Sequence, residues 1–223
     1  EGDDIIHVIK ENILSDKVQL SIDWNTRLDY MQQHSGQHLL SSIFYKLYGA
    51  ETIGFYLGKT CVYIDIDIPK LKKEDIVKVE DFANKVIYSN FDIKTYIIGK
   101  KDIDKVPIRK YPNVRSDIRI VEIDGMDYSP CCGTHHRSTG EIGMIKIRNW
   151  EKYKGNVRVE FVCGNRALKD YAWKNDCINS ISTLLSSKDT DIYEKIEKLY
   201  LEKEKLEKEN RDLKEELLKY KAK

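Results

Sequence analysis

The chain has 223 residues, 41% hydrophobic and 34% charged with only four prolines, which is enough apolar mass for a packed core and excludes a disordered or membrane-embedded protein. Its formal net charge of +1 excludes a globally basic field, so any nucleic-acid affinity has to come from local patches. Five cysteines, an odd number that includes the adjacent pair Cys131 and Cys132, exclude a regular disulfide framework and fit a reducing cytoplasm. No apolar run approaches the roughly 18 residues of a spanning helix. The acidic start Glu1-Gly2-Asp3-Asp4 has no Met and no signal-peptide pattern, and reads as a cut fragment.

In chain order, Val18 to Asp23 alternates as a short strand, and Asp23 or Thr26 caps a long helix over residues 24 to 48. Gly54 and Gly58 bracket Phe55-Tyr56-Leu57, and Thr60 to Ile66 follows as a β-rich run, predicting a hairpin. Lys72 to Ser89 has helical spacing at Ile76, Val79, Phe82, Val86 and Ile87, and a β-type run extends from Phe91 to Ile98. Asp117 to Ile123 alternates as a strand. The turn-rich stretch from Asp124 to Pro130 then predicts a loop leading into the cysteine pair. Ile142 to Ile147 and Asn156 to Val162 read as two strands joined by residues 150–155, with helix from Ala167 onward. Strands and helices mix without regular βαβ spacing, so the fold class is α+β.

The last 34 residues or so change character. Ile192, Leu199, Leu206, Leu213 and Tyr220 recur every seven residues, with Ile196, Lys203, Asn210 and Leu217 four residues after the first four of them. This is a coiled-coil pattern, compatible with a parallel dimer registered by Asn210 or with an intramolecular helical hairpin. Two basic stretches stand out: seven basic residues against three acidic from Lys100 to Arg119, and eight against three from Arg137 to Lys169. They fit either nucleic-acid contact or an ordinary solvated surface.

The chemistry-bearing residues fall into two groups. His34 and His38 stand at i and i+4 on the first predicted helix, so both imidazoles share one face and can reach one ion. The glutamate of a HExxH protease helix is absent, which disfavours a metalloprotease. Cys131-Cys132-Gly133-Thr134-His135-His136 offers thiolate and imidazole within one tight loop. Two imidazoles from the helix with one Cys and one His from the loop make the N and S donor set that tetrahedral Zn²⁺ prefers. Cys131 with His135 and Cys132 with His136 have the same spacing, so chemistry alone leaves the loop pair open.

Ile22-Asp23-Trp24 and the run from Arg27 to Ser41, with Gly54 to Gly58, Cys131-x-Gly133-Thr134-His135, Thr139 to Gly143, Arg158 to Gly164 and Arg166-Ala167-Leu168, resemble the editing domain of alanyl-tRNA synthetases. They are more closely similar to the free-standing alanyl-tRNA editing proteins of the AlaX type, over about residues 3 to 172. The resemblance implies an antiparallel sheet with packed helices and zinc ligation by His34, His38, Cys131 and His135. Cys132, His136 and Tyr56 depart from the family pattern, Tyr56 standing where a smaller polar residue or His is expected. The implied organisation is the end of a truncated N-terminal segment at 1–20, the zinc-binding editing domain at 21–186, and a coiled-coil helix at 187–223 leading to a further C-terminal domain.

The implied reaction is zinc-dependent hydrolysis of the ester joining serine or glycine to the 3′ end of alanine tRNA, in the cytoplasm. A pocket shaped for alanine rejects such analogues only roughly 10- to 200-fold, so a second, hydrolytic sieve is needed. Ser35, Gln37 and Asp127 are the candidate catalytic residues, Ser35 as a reader of the seryl hydroxyl, with Gln33 and Arg166 as weaker candidates beside them. Four protein ligands close a zinc site as in structural centres, so a ligand must yield, coordination must expand, or the ion must orient the tRNA end. Removal of serine from threonyl-tRNA and a non-catalytic, zinc-stabilised tRNA-binding or dimerisation module are the alternatives.

Overall fold

A computed structural model describes residues 6, 8, 10, 17–109 and 117–221. The acidic N-terminus and part of the first basic stretch lie outside the described residues. Among the described residues, seven strands and four α-helices form an α+β fold with two antiparallel sheets. The first sheet runs β1 (Thr52–Leu57), β2 (Val62–Ile66), β7 (Asn156–Cys163), β6 (Ile145–Tyr153); the second runs β3 (Ile93–Ile98), β4 (Ile118–Ile123), β5 (Asp127–Pro130).

Helix α1 (Trp24–Tyr48) begins where the Asp23 carboxylate accepts the Thr26 backbone N–H at 3.1 Å and its hydroxyl at 2.7 Å, and ends at Gly49. The capping residue is therefore Asp23, which satisfies a donor that the first turn leaves orphaned. Leu39, Leu40, Ile43 and Phe44 are fully buried against Val62, Ile64, Val159 and Phe161 of the first sheet and against Val79 and Ala83 of α2 (Lys73–Ser89). Most of the other buried positions of α1 are polar, and several are tied down by hydrogen bonds. Gln33 donates to the Cys163 carbonyl at 3.0 Å and accepts the Cys163 N–H at 2.8 Å, pinning the helix to the end of β7. Burial of an amide side chain is tolerable only with its partners made, and here they are.

Several expectations are corrected. Residues 18–23 form no strand: Val18, Leu20 and Ile22 are exposed, and no described strand pairs with them, so the alternation has no ladder to join. Asp127–Pro130 is a strand rather than a loop, paired antiparallel with β4 from Ile123↔Asp127 to Ile120↔Pro130. Thr139–Ile142 is a 3₁₀ turn and β6 starts only at Ile145. That strand then continues through Tyr153, so the expected connection over 150–155 shrinks to Lys154-Gly155, both with positive φ (49° and 87°) as a tight hairpin turn requires.

Helix α3 (Gly164–Leu184) follows β7 directly, and α4 (Ile192–Lys221) forms the C-terminal end of the described chain. Only Ile192 of α4 is buried, and its seam residues Leu206 and Leu213 are 63% and 65% exposed. No described helix lies along that seam. No helix among the described residues is long and apolar enough to cross a membrane.

Candidate metal centre

Four side chains from two places in the chain converge. His34 and His38 come from the middle of α1, while Cys131 and His135 come from the segment that leaves β5. One ligand atom from each lies within 4.8 Å of every other. The His34 and His135 ring centroids are 4.4 Å apart, those of His38 and His135 4.9 Å, and His34 Nε2 is 3.5 Å from Cys131 Sγ. Zinc bonds of about 2.0 to 2.3 Å set tetrahedral ligand atoms roughly 3.3 to 3.8 Å apart, so the cluster needs only a small contraction to hold such an ion. Both ring nitrogens of His135 are buried without a hydrogen-bond partner, while Nδ1 of His38 is turned to the Asp127 carboxylate at 3.6 Å, beyond hydrogen-bond distance. Buried imidazole nitrogens left unmatched are costly, and an ion shared among them is the chemistry that the donor set fits.

Electrostatics favour a ligating thiolate. Burial raises the Cys131 thiol, but hydrogen bonds from His135, His34 and His38 outweigh it and bring the thiol down to about 3. Burial drives the His135 imidazole toward its neutral form. Burial also opposes charge on His38, yet the facing Asp127 and Cys131 carry its affinity for a proton above the ordinary range.

The loop is held in place by contacts that no sequence pattern announces. Arg119 of β4 donates to the Cys131 carbonyl at 2.6 Å and the Gly133 carbonyl at 2.9 Å, clamping the backbone between the two loop ligands. Gly133 lies against the His34 ring: a Cβ there would come within 2.6 Å of Nδ1, closer than any real contact allows. Cys132 is exposed and lies outside the cluster. His136 is buried and faces the other way, its Nδ1 3.2 Å from Glu141 Oε2 and its backbone N–H donating to Ser35 Oγ at 3.2 Å.

Of the remaining candidates, Ser35 and Asp127 adjoin the cluster, whereas Gln37, Gln33 and Arg166 are engaged by other partners. Ser35 is buried beside His34, with its hydroxyl oxygen engaged by the loop. Gln37 donates to Ser41 Oγ at 2.8 Å, away from the ligands. Asp127 is buried, with Oδ2 3.6 Å from His38 Nδ1 and Oδ1 accepting from Arg109 at 3.0 Å. Burial raises its carboxyl, but His38 and Arg109 together hold it below the usual range. Gln33 is occupied by Cys163, and Arg166 grips Asp29 through two bonds of 2.7 and 2.8 Å and the Gly58 carbonyl at 2.8 Å.

Tyr56 does not face the centre. It stacks on Tyr63 at 5.0 Å, in register with a residue whose neighbours Val62 and Ile64 point to the core from the opposite face. Phe55 is the β1 side chain beside the ligands, stacked 5.8 Å from His34. Strand alternation relative to buried Ile64, its cross-strand partner, is the signal that could have found it.

Residues 118–160 match the family described as the Threonyl and Alanyl tRNA synthetase second additional domain. The chain is 34% identical over 215 residues to the Xenopus laevis protein named Alanyl-tRNA editing protein Aarsd1-A, covering 94% of this chain and 52% of that one. It is 33% identical over 223 residues to Alanyl-tRNA editing protein AlaX-L of Pyrococcus horikoshii, covering 93% and 52%. It is 33% identical over 222 residues to the Alanine--tRNA ligase of Ignicoccus hospitalis, covering 93% of this chain and 24% of the ligase. The chain therefore spans about half the length of the editing proteins it matches.

Proposed function

We propose that this chain, a homologue of the alanyl-tRNA editing proteins along nearly all of its length, carries the hydrolytic part of an enzyme that deacylates mischarged alanine tRNA in trans, guarding translation fidelity in the cytoplasm. The observation that carries this reading is the convergence of His34, His38, Cys131 and His135 within 4.8 Å of one another. The scissile bond is the ester between serine or glycine and the terminal ribose of the tRNA. Zinc held by these four residues would supply Lewis acidity toward the ester carbonyl or a water.

The protein's own groups do the rest. His38 turns Nδ1 toward Asp127, leaving Nε2 for the ion. Ser35, held by the His136 N–H, keeps its hydroxyl proton to donate, which suits a seryl side chain and is wasted on an alanyl methyl. Phe55, 39% exposed, forms an apolar wall beside His34 that limits water around the acyl group. Gln37, bonded to Ser41 on the same helix, supports α1 beneath the ligands. The basic stretch from Arg137 to Lys169 is the surface that would receive the acceptor end.

The helix α4 pairs with a second copy of itself in this reading. With Asn210 and Leu217 in the same seam as Leu206 and Leu213, a parallel pair sets Glu209 against Lys214 and Glu216 against Lys221 of the other copy, two attractive pairs against one repulsive Glu202–Glu207 pair. Removal of serine from threonyl-tRNA is the second reading, favoured by the domain match, whose description covers threonyl as well as alanyl synthetases. Four ligands of structural type favour a third, a zinc-stabilised tRNA-binding module without activity. Measuring zinc per chain and hydrolysis of seryl-tRNA with alanine and threonine tRNA bodies tests all three. One zinc with hydrolysis of the alanine tRNA ester is expected; one zinc without any hydrolysis sinks the enzymatic reading.

A further inference from the structure

We infer that Arg109 and Ser129 are positioning residues for the metal centre: they lock the Asp127 carboxylate against Nδ1 of His38, so that this imidazole presents its other nitrogen to the ion. The inference rests on the metal reading proposed above.

Arg109, Asp127 and Ser129 close a hydrogen-bonded triangle that is nearly dry, and His38 faces it without a hydrogen bond. The Arg109, Asp127 and His38 side chains are 11%, 2% and 7% exposed. Arg109 Nε donates to Asp127 Oδ1 at 3.0 Å, and its NH2 donates to Ser129 Oγ at 3.1 Å. Because the Ser129 oxygen accepts from Arg109, its own proton is free to point elsewhere, and Asp127 Oδ2 lies 2.7 Å away to receive it. Both carboxylate oxygens are thus fixed, and Oδ2 is the one turned to His38 at 3.6 Å.

Each part follows from where its residue sits. Asp127 and Ser129 are two apart on β5, so they share the face that looks toward α1. Arg109 reaches them from the segment before β4, where its backbone N–H also donates to the Tyr128 carbonyl at 3.2 Å. A carboxylate this deeply buried needs a counter-charge, and Arg109 supplies a permanent one whether or not an ion is present. The Asp127 orientation is therefore set by the protein before the ion arrives. Ligating histidines depend on such partners for tautomer and ring direction, and loss of one typically weakens metal binding about 10- to 100-fold.

The experiment measures zinc affinity of the whole chain by competition with a chromophoric chelator, alongside the visible absorption of the cobalt(II) form. Asp127→Asn and Arg109→Gln are expected to bind zinc about 10- to 100-fold more weakly and to change the cobalt bands. Ser129→Ala should lose less, and Arg109→Lys, which keeps the charge but not the fork, should recover part of the Arg109→Gln loss. Melting of each metal-free variant separates positioning from support, and Ser129→Ala carries the test if a larger change prevents folding. Variants that melt lower yet bind zinc within threefold of the unmodified chain overturn the inference. An unmodified chain that binds no zinc overturns the metal reading and this inference with it, an outcome visible before any variant is made.

Discussion

The Ser35 hydroxyl accepts the backbone N–H of His136 at 3.2 Å, so a residue beside the first helix ligand holds the loop that carries the other two ligands. Its oxygen is committed to the loop, and the proposed reading gives its proton to the seryl hydroxyl.

Ser35→Ala is therefore expected to slow deacylation of seryl-tRNA about tenfold, the size of one neutral hydrogen bond, and to leave glycyl-tRNA within about threefold. Parallel time courses on the two esters check this. Equal losses on both would mean that Ser35 acts only by bracing the loop.

The two loop pairs make opposite predictions. Cys131→Ser and His135→Ala should purify with little zinc, because each removes a member of the converging cluster. Cys132→Ser should keep full zinc, since that side chain is exposed. His136→Ala should keep zinc but melt lower, losing its contact with Glu141 and leaving a cavity. Elemental analysis and thermal melts of the four variants read this out; zinc retained by Cys131→Ser and lost by Cys132→Ser would reverse the ligand assignment.

Gly133→Ala places a methyl within 2.6 Å of His34 Nδ1, and the helix cannot retreat because Gln33 is fastened to Cys163. Zinc content should fall at least tenfold while far-UV dichroism stays native. Normal zinc in that variant would show that the loop has slack the structure does not display.

The helical half of the site was legible because its determinants are local. Asp23 and Gly49 bound α1, and the i, i+4 spacing of His34 and His38 sets both on one face. The loop half was legible as residue types but not as geometry. Asp-Tyr-Ser-Pro has the composition of a turn, and it becomes strand β5 only by pairing with β4. Arg109, Arg119 and Ser129 carry no local signature at all. Their roles exist only once distant segments are packed together, as do the facing of Phe55 and the turning away of Tyr56.

Arg166 provides a contrast between stability and chemistry. Its two bonds to Asp29 and one to the Gly58 carbonyl tie α3 to α1 and to the β1–β2 turn. Arg166→Ala should cost about 1.5 to 3 kcal/mol of folding free energy, the range for hydrogen bonds to charged groups, with deacylation per folded molecule unchanged. Urea unfolding and single-turnover rates would separate the two. A rate loss beyond the unfolded fraction would assign Arg166 to the substrate.

The exposed seam of α4 predicts self-association. Leu206→Lys together with Leu213→Lys should convert a dimer to a monomer in sedimentation equilibrium without altering zinc content. A chain that is monomeric before substitution would remove the paired-helix proposal.

The most direct test of the central claim is deacylation of seryl-, glycyl- and alanyl-tRNA for alanine by the unmodified chain and by His38→Ala, at matched folded concentration. Rapid hydrolysis of the seryl or glycyl ester, slow hydrolysis of the alanyl ester, and near-background rates on all three when His38 is removed are expected. Background rates with the unmodified, zinc-loaded chain, or full activity in His38→Ala, would contradict the claim.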